Sequence, residues 1–206
     1  MVFDWETLGS KRVSLAFLEV PLLSVQETFV AWKKSLGWEP EVEPICLPLR
    51  EAARLLPPTA IPPSRYLWLK TASSWVAQFS NSVTLDPHSP TTYLCRRMSC
   101  RGLALQYAPF GGPGDRRRMG FAGFTLYGPG TGNWDSIIRA IQVSSEGEEA
   151  FSVSGQVQDF EDVGKYELSN VRERLTLEML REYAGAMGLR PFEDEFYGPE
   201  GILIRG

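Results

Sequence analysis

The side chains that could do chemistry in this chain are few and scattered. The one histidine, His88, stands in "DPHSP" ahead of a helical stretch, and the three cysteines are Cys46, Cys95 and Cys100. A structural zinc site takes about four closely spaced N or S ligands, and a zinc protease takes a His-Glu-x-x-His turn; neither spacing occurs. Cys95 and Cys100 flank four residues, a spacing that on a continuous helix turns them to different faces, so ordinary buried or half-buried thiols are expected. His88 and Cys95 align after two helical turns but stand about 10 Å apart along the axis, too far for proton transfer. No metal or cofactor is expected.

Two glycine-rich stretches invite a phosphate reading. "YGPGTGNWD", with Gly128, Gly130 and Gly132, lacks both the Lys-Ser/Thr that follows a phosphate loop and the helix that follows a dinucleotide fingerprint, so it reads as a turn. "GGPGDRRRMG" places Arg116, Arg117 and Arg118 at a hairpin tip, where they could meet a phosphate or an acidic loop. No longer basic stripe accompanies them, and nucleic acid binding is not expected.

Carboxylates are plentiful: Glu148/Glu149, Asp159/Glu161/Asp162 and Glu193/Asp194/Glu195. Neighbours in sequence become a general acid and base only when one of them is desolvated, and these stand in polar surroundings. With Phe192, Phe196 and Tyr197 interleaved, the last cluster combines apolar anchors with charge, as a protein interface does. Phe192 and Phe196 equally suit pins to the core. The predicted contacts to a partner are Glu193, Asp194, Glu195 and Tyr197, with Asp159, Glu161 and Asp162 as a second set.

The overall charge is only -4, yet residues 146–206 hold 14 acidic and 6 basic side chains, a net of -8. Such asymmetry speeds encounter with a basic partner. The chain, 206 residues with 43% hydrophobic content, is large enough to bury ~70% of its unfolded surface as one unit. One domain over 1–206 is therefore expected. The opening residues lack the basic start of a signal peptide, no apolar run reaches the ~20 residues of a membrane helix, and an odd number of cysteines suits a reducing compartment. A cytoplasmic location without membrane contact is expected.

The elements that must position these groups follow from periodicity. "RVSLAFLEVP" reads as a strand. "SVQETFVAWKKSLG" reads as a helix with a Ser24/Glu27 capping box, a stripe of Val25, Phe29, Trp32 and Leu36, and Gly37 as its stop. "PLREAARLLPP" reads as a short helix, and "RYLWLKT" with "SWVAQFSNS" as a strand pair. Ser89 and Pro90 open a helix carrying Tyr93, Leu94 and Met98; "RGLALQYAP" and "MGFAGFTLYGP" are strands. "SIIRAIQVSSEGEEAFSVSG" satisfies helical spacing too, but alternation on both sides of Glu146-Gly147 favours a hairpin. The chain is helical from about Val171, capped by Thr176 and stopped by Gly188, and "GILIR" closes as a strand. The fold class is α+β, a mostly antiparallel sheet packed by several helices.

"WVAQFSNS", "CRGLALQYAP" and the span from Arg172 to Ile204 resemble a group of uncharacterised bacterial proteins sharing a Trp-x-x-x-Phe-x-Asn strand, a Cys-Arg strand start and an Arg-Leu-Thr-x-Glu-x-Leu helix leading to Phe-Tyr-Gly-Pro. The resemblance implies element boundaries and no activity. The function expected is a protein-binding inhibitor, most specifically a bacterial immunity protein that covers a basic toxin with an acidic face. The alternative is an enzyme or small-molecule-binding domain whose polar site gathers residues such as Trp75, Asn81, Arg101 and Glu167.

Overall fold

The computed structural model describes residues 13–57, 64–81, 88–111, 120–129, 135–145 and 149–206. The arginine loop 116–118, Gly130 and Gly132, Glu148 and the Glu146-Gly147 turn lie outside the described residues. The described chain forms one nine-stranded sheet in the order β2-β9-β3-β4-β1-β5-β6-β7-β8, with every neighbouring pair antiparallel. The strands are β1 (Val13–Leu18), β2 (Glu41–Cys46), β3 (Arg65–Thr71), β4 (Val76–Ser80), β5 (Gly102–Ala108), β6 (Phe121–Tyr127), β7 (Ile137–Ser144), β8 (Ala150–Gly155) and β9 (Tyr197–Arg205). The helices are α1 (Leu22–Ser35), α2 (Leu49–Ala52), α3 (His88–Met98) and α4 (Leu177–Ala186). This is the antiparallel α+β class read from the sequence.

Because successive strand side chains point to opposite faces, the inner strands must be apolar on both if both faces are covered. They are. Leu15, Phe17, Leu67, Leu69 and Leu203 join one core with Met179, Leu180 and Tyr183 of α4, whereas Leu18, Trp68, Ile202 and Ile204 join a second with Val25 and Phe29 of α1 and Leu94 of α3. The molecule is therefore three layers deep.

Several local expectations are corrected. α1 starts at Leu22 behind Pro21, so Ser24 caps nothing. Lys33 takes the buried place expected for Leu36, which is exposed. The Lys33 ammonium is ringed by Trp38, Trp32, Tyr66 and Phe29 at 4.0, 4.6, 4.8 and 5.2 Å, and it donates to the Tyr66 hydroxyl at 3.4 Å. Burial pulls its pKa down, while the ring faces favour the cation. Residues 171–173 form a single 3-10 turn before α4, whose N-cap Thr176 accepts the Met179 N–H at 3.2 Å as predicted. β2 went unread in the sequence, and β9 begins at Tyr197, well before "GILIR".

The two sheet edges differ in composition. β2, "EVEPIC", carries Glu41, Glu43 and Pro44, the charges and proline that keep an edge from pairing with another chain. β8, "AFSVSG", carries no charge and no proline, and all its residues but Phe151 are exposed.

Candidate protein-binding surface

β8 ends at Gly155, whose backbone is left-handed (φ 82); a Cβ there would lie 2.0 Å from the Ile138 carbonyl oxygen, so only glycine fits this reversal. On β7, Arg139 pairs in register with Gly155 and reaches past it. Its Nη1 donates to the Gly155 and Ser154 carbonyls at 3.1 and 3.4 Å, and its Nη2 and Nε bond the Glu161 carboxylate at 2.7 and 3.0 Å. The two side chains are 4% and 0% exposed, so this ion pair is desolvated. Glu161 Oε1 also accepts the Gln158 N–H at 2.8 Å, and Oε2 accepts the Tyr166 hydroxyl at 2.9 Å.

The hydrogen bonds beyond Glu161 have one consistent direction. Since Tyr166 spends its proton on Glu161, the 3.1 Å contact to Tyr183 is a bond that Tyr183 donates, and Tyr183 in turn accepts the Asp162 N–H at 3.1 Å. Burial, reinforced by Tyr183 and Glu161, pushes the Tyr166 phenol far above its usual range. Glu161 thus leaves the predicted contact set: it is the buried anchor of the segment after β8. The sequence carried one sign of this, an arginine in the apolar run "IIRAIQV", which alternation alone does not explain.

That anchoring presents a distinctive surface. Among the described residues six large apolar side chains are exposed, and Val153, Val157, Val163 and Leu168 of this segment are among them. Phe151 packs on Tyr166 with ring centroids 5.2 Å apart, and Arg174 lies over Phe151 at 5.5 Å, which holds the turn 163–167 alongside β8. Asp159, Asp162 and Glu167 are exposed between the apolar residues; Asp162 meets Lys165 at 3.7 Å. An uncharged strand edge, exposed apolar groups and flanking acids therefore occupy one continuous stretch of chain.

The acidic tail is arranged otherwise. Tyr197 is buried with its hydroxyl donating to the Pro191 carbonyl at 2.6 Å, and burial raises its pKa well above the usual phenol value. It cannot reach a partner, and it too leaves the contact set. Phe192 and Phe196 are buried core pins. Asp194 is half-buried against Arg50, Glu193 pairs with Arg190 at 3.0 Å, and Glu195 is exposed. Arg181 and Arg190 lie over Phe192 and Phe196 at 5.3 and 5.7 Å, so arginines offset much of the tail's negative charge.

The residues considered for an enzyme site come together only in part. Arg101 lies 5.5 Å over the Trp75 ring and donates to Glu19 at 2.6 and 3.0 Å, while Ser74 donates to Glu19 at 3.4 Å, beside a shallow cleft of about 380 Å³. Asn81 instead accepts the Arg65 N–H at 2.8 Å where β3 begins, and Glu167 belongs to the surface beside β8. His88 bonds the Tyr127 hydroxyl at 2.5 Å and the Gln106 amide oxygen at 2.9 Å, which ties α3 to β6 and β5. No group of three or more His, Cys, Asp or Glu that could hold a metal occurs among the described residues, and no described helix is long and apolar enough to cross a membrane.

Fold and surface together define a class: an antiparallel α+β chain whose sheet, among the described residues, has one edge strand guarded by charge and proline and one edge strand without either. No family model, curated protein or solved structure matches it.

Proposed function

We propose that the chain is a protein-binding inhibitor, most specifically a bacterial immunity protein that neutralises a basic toxin by covering its active site. The observation that carries this reading is the coincidence of the β8 edge, unpaired on its outer side among the described residues, with exposed Val153, Val157, Val163 and Leu168 and the acids Asp159, Asp162 and Glu167. Unpaired strand edges bind partner strands through main-chain hydrogen bonds, apolar groups supply affinity, and flanking acids steer a basic partner. The net charge of -8 over residues 146–206 supports the sign of that partner. Glu193 and Glu195 remain outlying contacts on this reading.

The test compares three immobilised forms in capture from native lysate: wild type, Val153→Asp/Val157→Asp, and Glu193→Lys/Glu195→Lys. A basic protein retained by the wild type, released by salt, lost with the β8 variant and inhibited in its own activity by the soluble chain supports the proposal. Equal retention and inhibition by the β8 variant removes β8 from it, and loss confined to the tail variant moves the surface to residues 193–195.

A second reading, a small-molecule site, rests on the cleft beside Trp75, Arg101 and Glu19. Thermal stabilisation by a metabolite, abolished by Arg101→Ala, favours it over the first.

A further inference from the structure

The C-terminal end of α3 closes in a way that helical spacing does not foreshadow. The helix stops at Met98, Ser99 takes the left-handed conformation (φ 51), and the Cys100 N–H returns to the Cys95 carbonyl at 3.1 Å. This closure normally brings an apolar side chain after the helix onto one in its last turn. Here both are thiols, and both lie in the one buried cluster that α3 shares with the sheet. Gly102 provides the space, since a Cβ there would lie 2.3 Å from the Cys95 sulfur. The expectation that Cys95 and Cys100 face apart fails because the helix does not continue to Cys100.

The two thiols differ. Cys95 is fully buried, whereas Cys100 keeps 8% of its surface exposed. The neighbouring Cys95 thiol lowers the pKa of Cys100 against opposing effects of burial and Glu19, and the Cys100 thiol together with burial raises Cys95. Arg96 and Arg97 in the last turn of α3 add positive charge, which offsets the negative end of the helix dipole.

We propose that Cys95 and Cys100 form a redox-active dithiol, closed to a disulfide across the end of α3 by a hydroperoxide and reopened by a low-molecular-weight thiol. The Cys100 thiolate attacks the outer peroxide oxygen; an S–O bond forms as the O–O bond breaks, and the leaving alkoxide takes up the proton lost by Cys100. Cys95 sulfur then displaces the hydroxyl of that sulfenic acid. The S–S bond forms and water departs with the Cys95 proton. Two thiols and one peroxide give one disulfide, one alcohol and one water, so electrons balance. Two small thiols reverse the reaction by exchange and leave as their own disulfide.

Brief exposure of the native protein to hydrogen peroxide, followed by denaturing alkylation and peptide mass mapping, tests this. The expected result is a Cys95–Cys100 linkage that forms several times faster than any oxidation of the exposed Cys46 and is reversed by glutathione. Cys95→Ser should halt at a Cys100 sulfenic acid that dimedone traps, and Cys100→Ser should give neither product. Oxidation of Cys46 while Cys95 and Cys100 both remain alkylatable overturns the proposal, and this wild-type readout stands even if a serine variant fails to fold.

Discussion

Replacing Glu161 by Gln removes one negative charge from a site where it meets Arg139, Gln158 and Tyr166 at once. The carboxylate accepts from Arg139 Nε and Nη2, the Gln158 N–H and the Tyr166 hydroxyl, and both ionic side chains are almost wholly inaccessible to water. The substituted amide offers one acceptor oxygen and places an NH2 group against donors. Leaving a buried guanidinium without its counter-charge costs about 3–5 kcal/mol, a large share of the 5–15 kcal/mol that typically separates folded from unfolded chains. At roughly 2–4 °C per kcal/mol for a chain of this size, the melting temperature should fall by ~6–20 °C. Arg139→Met/Glu161→Leu should lose less than either single change, because an apolar pair strands no charge, although Tyr166 and Gln158 still lose an acceptor. Urea denaturation of wild type, Glu161→Gln, Arg139→Met, Glu161→Leu and the double variant measures the coupling directly. Hydrogen exchange should show protection lost first at residues 156–168. A loss below ~1 kcal/mol for Glu161→Gln, or a double variant whose loss is the sum of the singles, refutes the reasoning.

Gly155→Ala should cost at least ~2 kcal/mol, because the left-handed backbone and the contact with the Ile138 oxygen both oppose a Cβ; an unchanged urea midpoint contradicts this. Thr176→Ala should cost about 1 kcal/mol through loss of the α4 cap, read by the same assay. The hydrogen bond and charge of Arg101 hold the Glu19 carboxyl below its ordinary value near 4.5. A depressed carboxylate stabilises the fold above its unfolded pKa and loses that contribution as the pH falls through the folded value. The stability gap between wild type and Glu19→Gln should therefore be present at neutral pH and close in acid below the ordinary value, and a gap independent of pH counts against the pair.

Much of the fold was legible where one periodicity dominated. The apolar, β-prone runs "RYLWLKT" and "RGLALQYAP", the antiparallel pairing of β7 with β8 and the Thr176 cap each follow from local chemistry. β2 escaped because Glu and Pro interrupt it and its two half-buried apolar residues, Val42 and Ile45, lie on opposite faces, so no period-two pattern marks it. Lys33 escaped because its burial depends on Trp38 and Tyr66, brought in from outside its helix. The site was legible in composition and not in geometry. Asp159 and Asp162 are exposed as expected, while Glu161 between them turns inward to meet an arginine on another strand. Sequence adjacency could not separate them, since burial of a carboxylate is decided by its distant partner.

The place of β9 has a consequence for biosynthesis. It lies between β2 and β3, and among the described residues it is the one strand that β2 pairs with. The run β5-β6-β7-β8 joins neighbours in sequence and can assemble as it leaves the ribosome, but β2 waits through most of translation for the last strand made. Non-local pairing of this kind is slow and leaves strand edges open meanwhile. The glutamates and proline of β2 then have a second use, keeping an unpartnered segment soluble until its partner arrives.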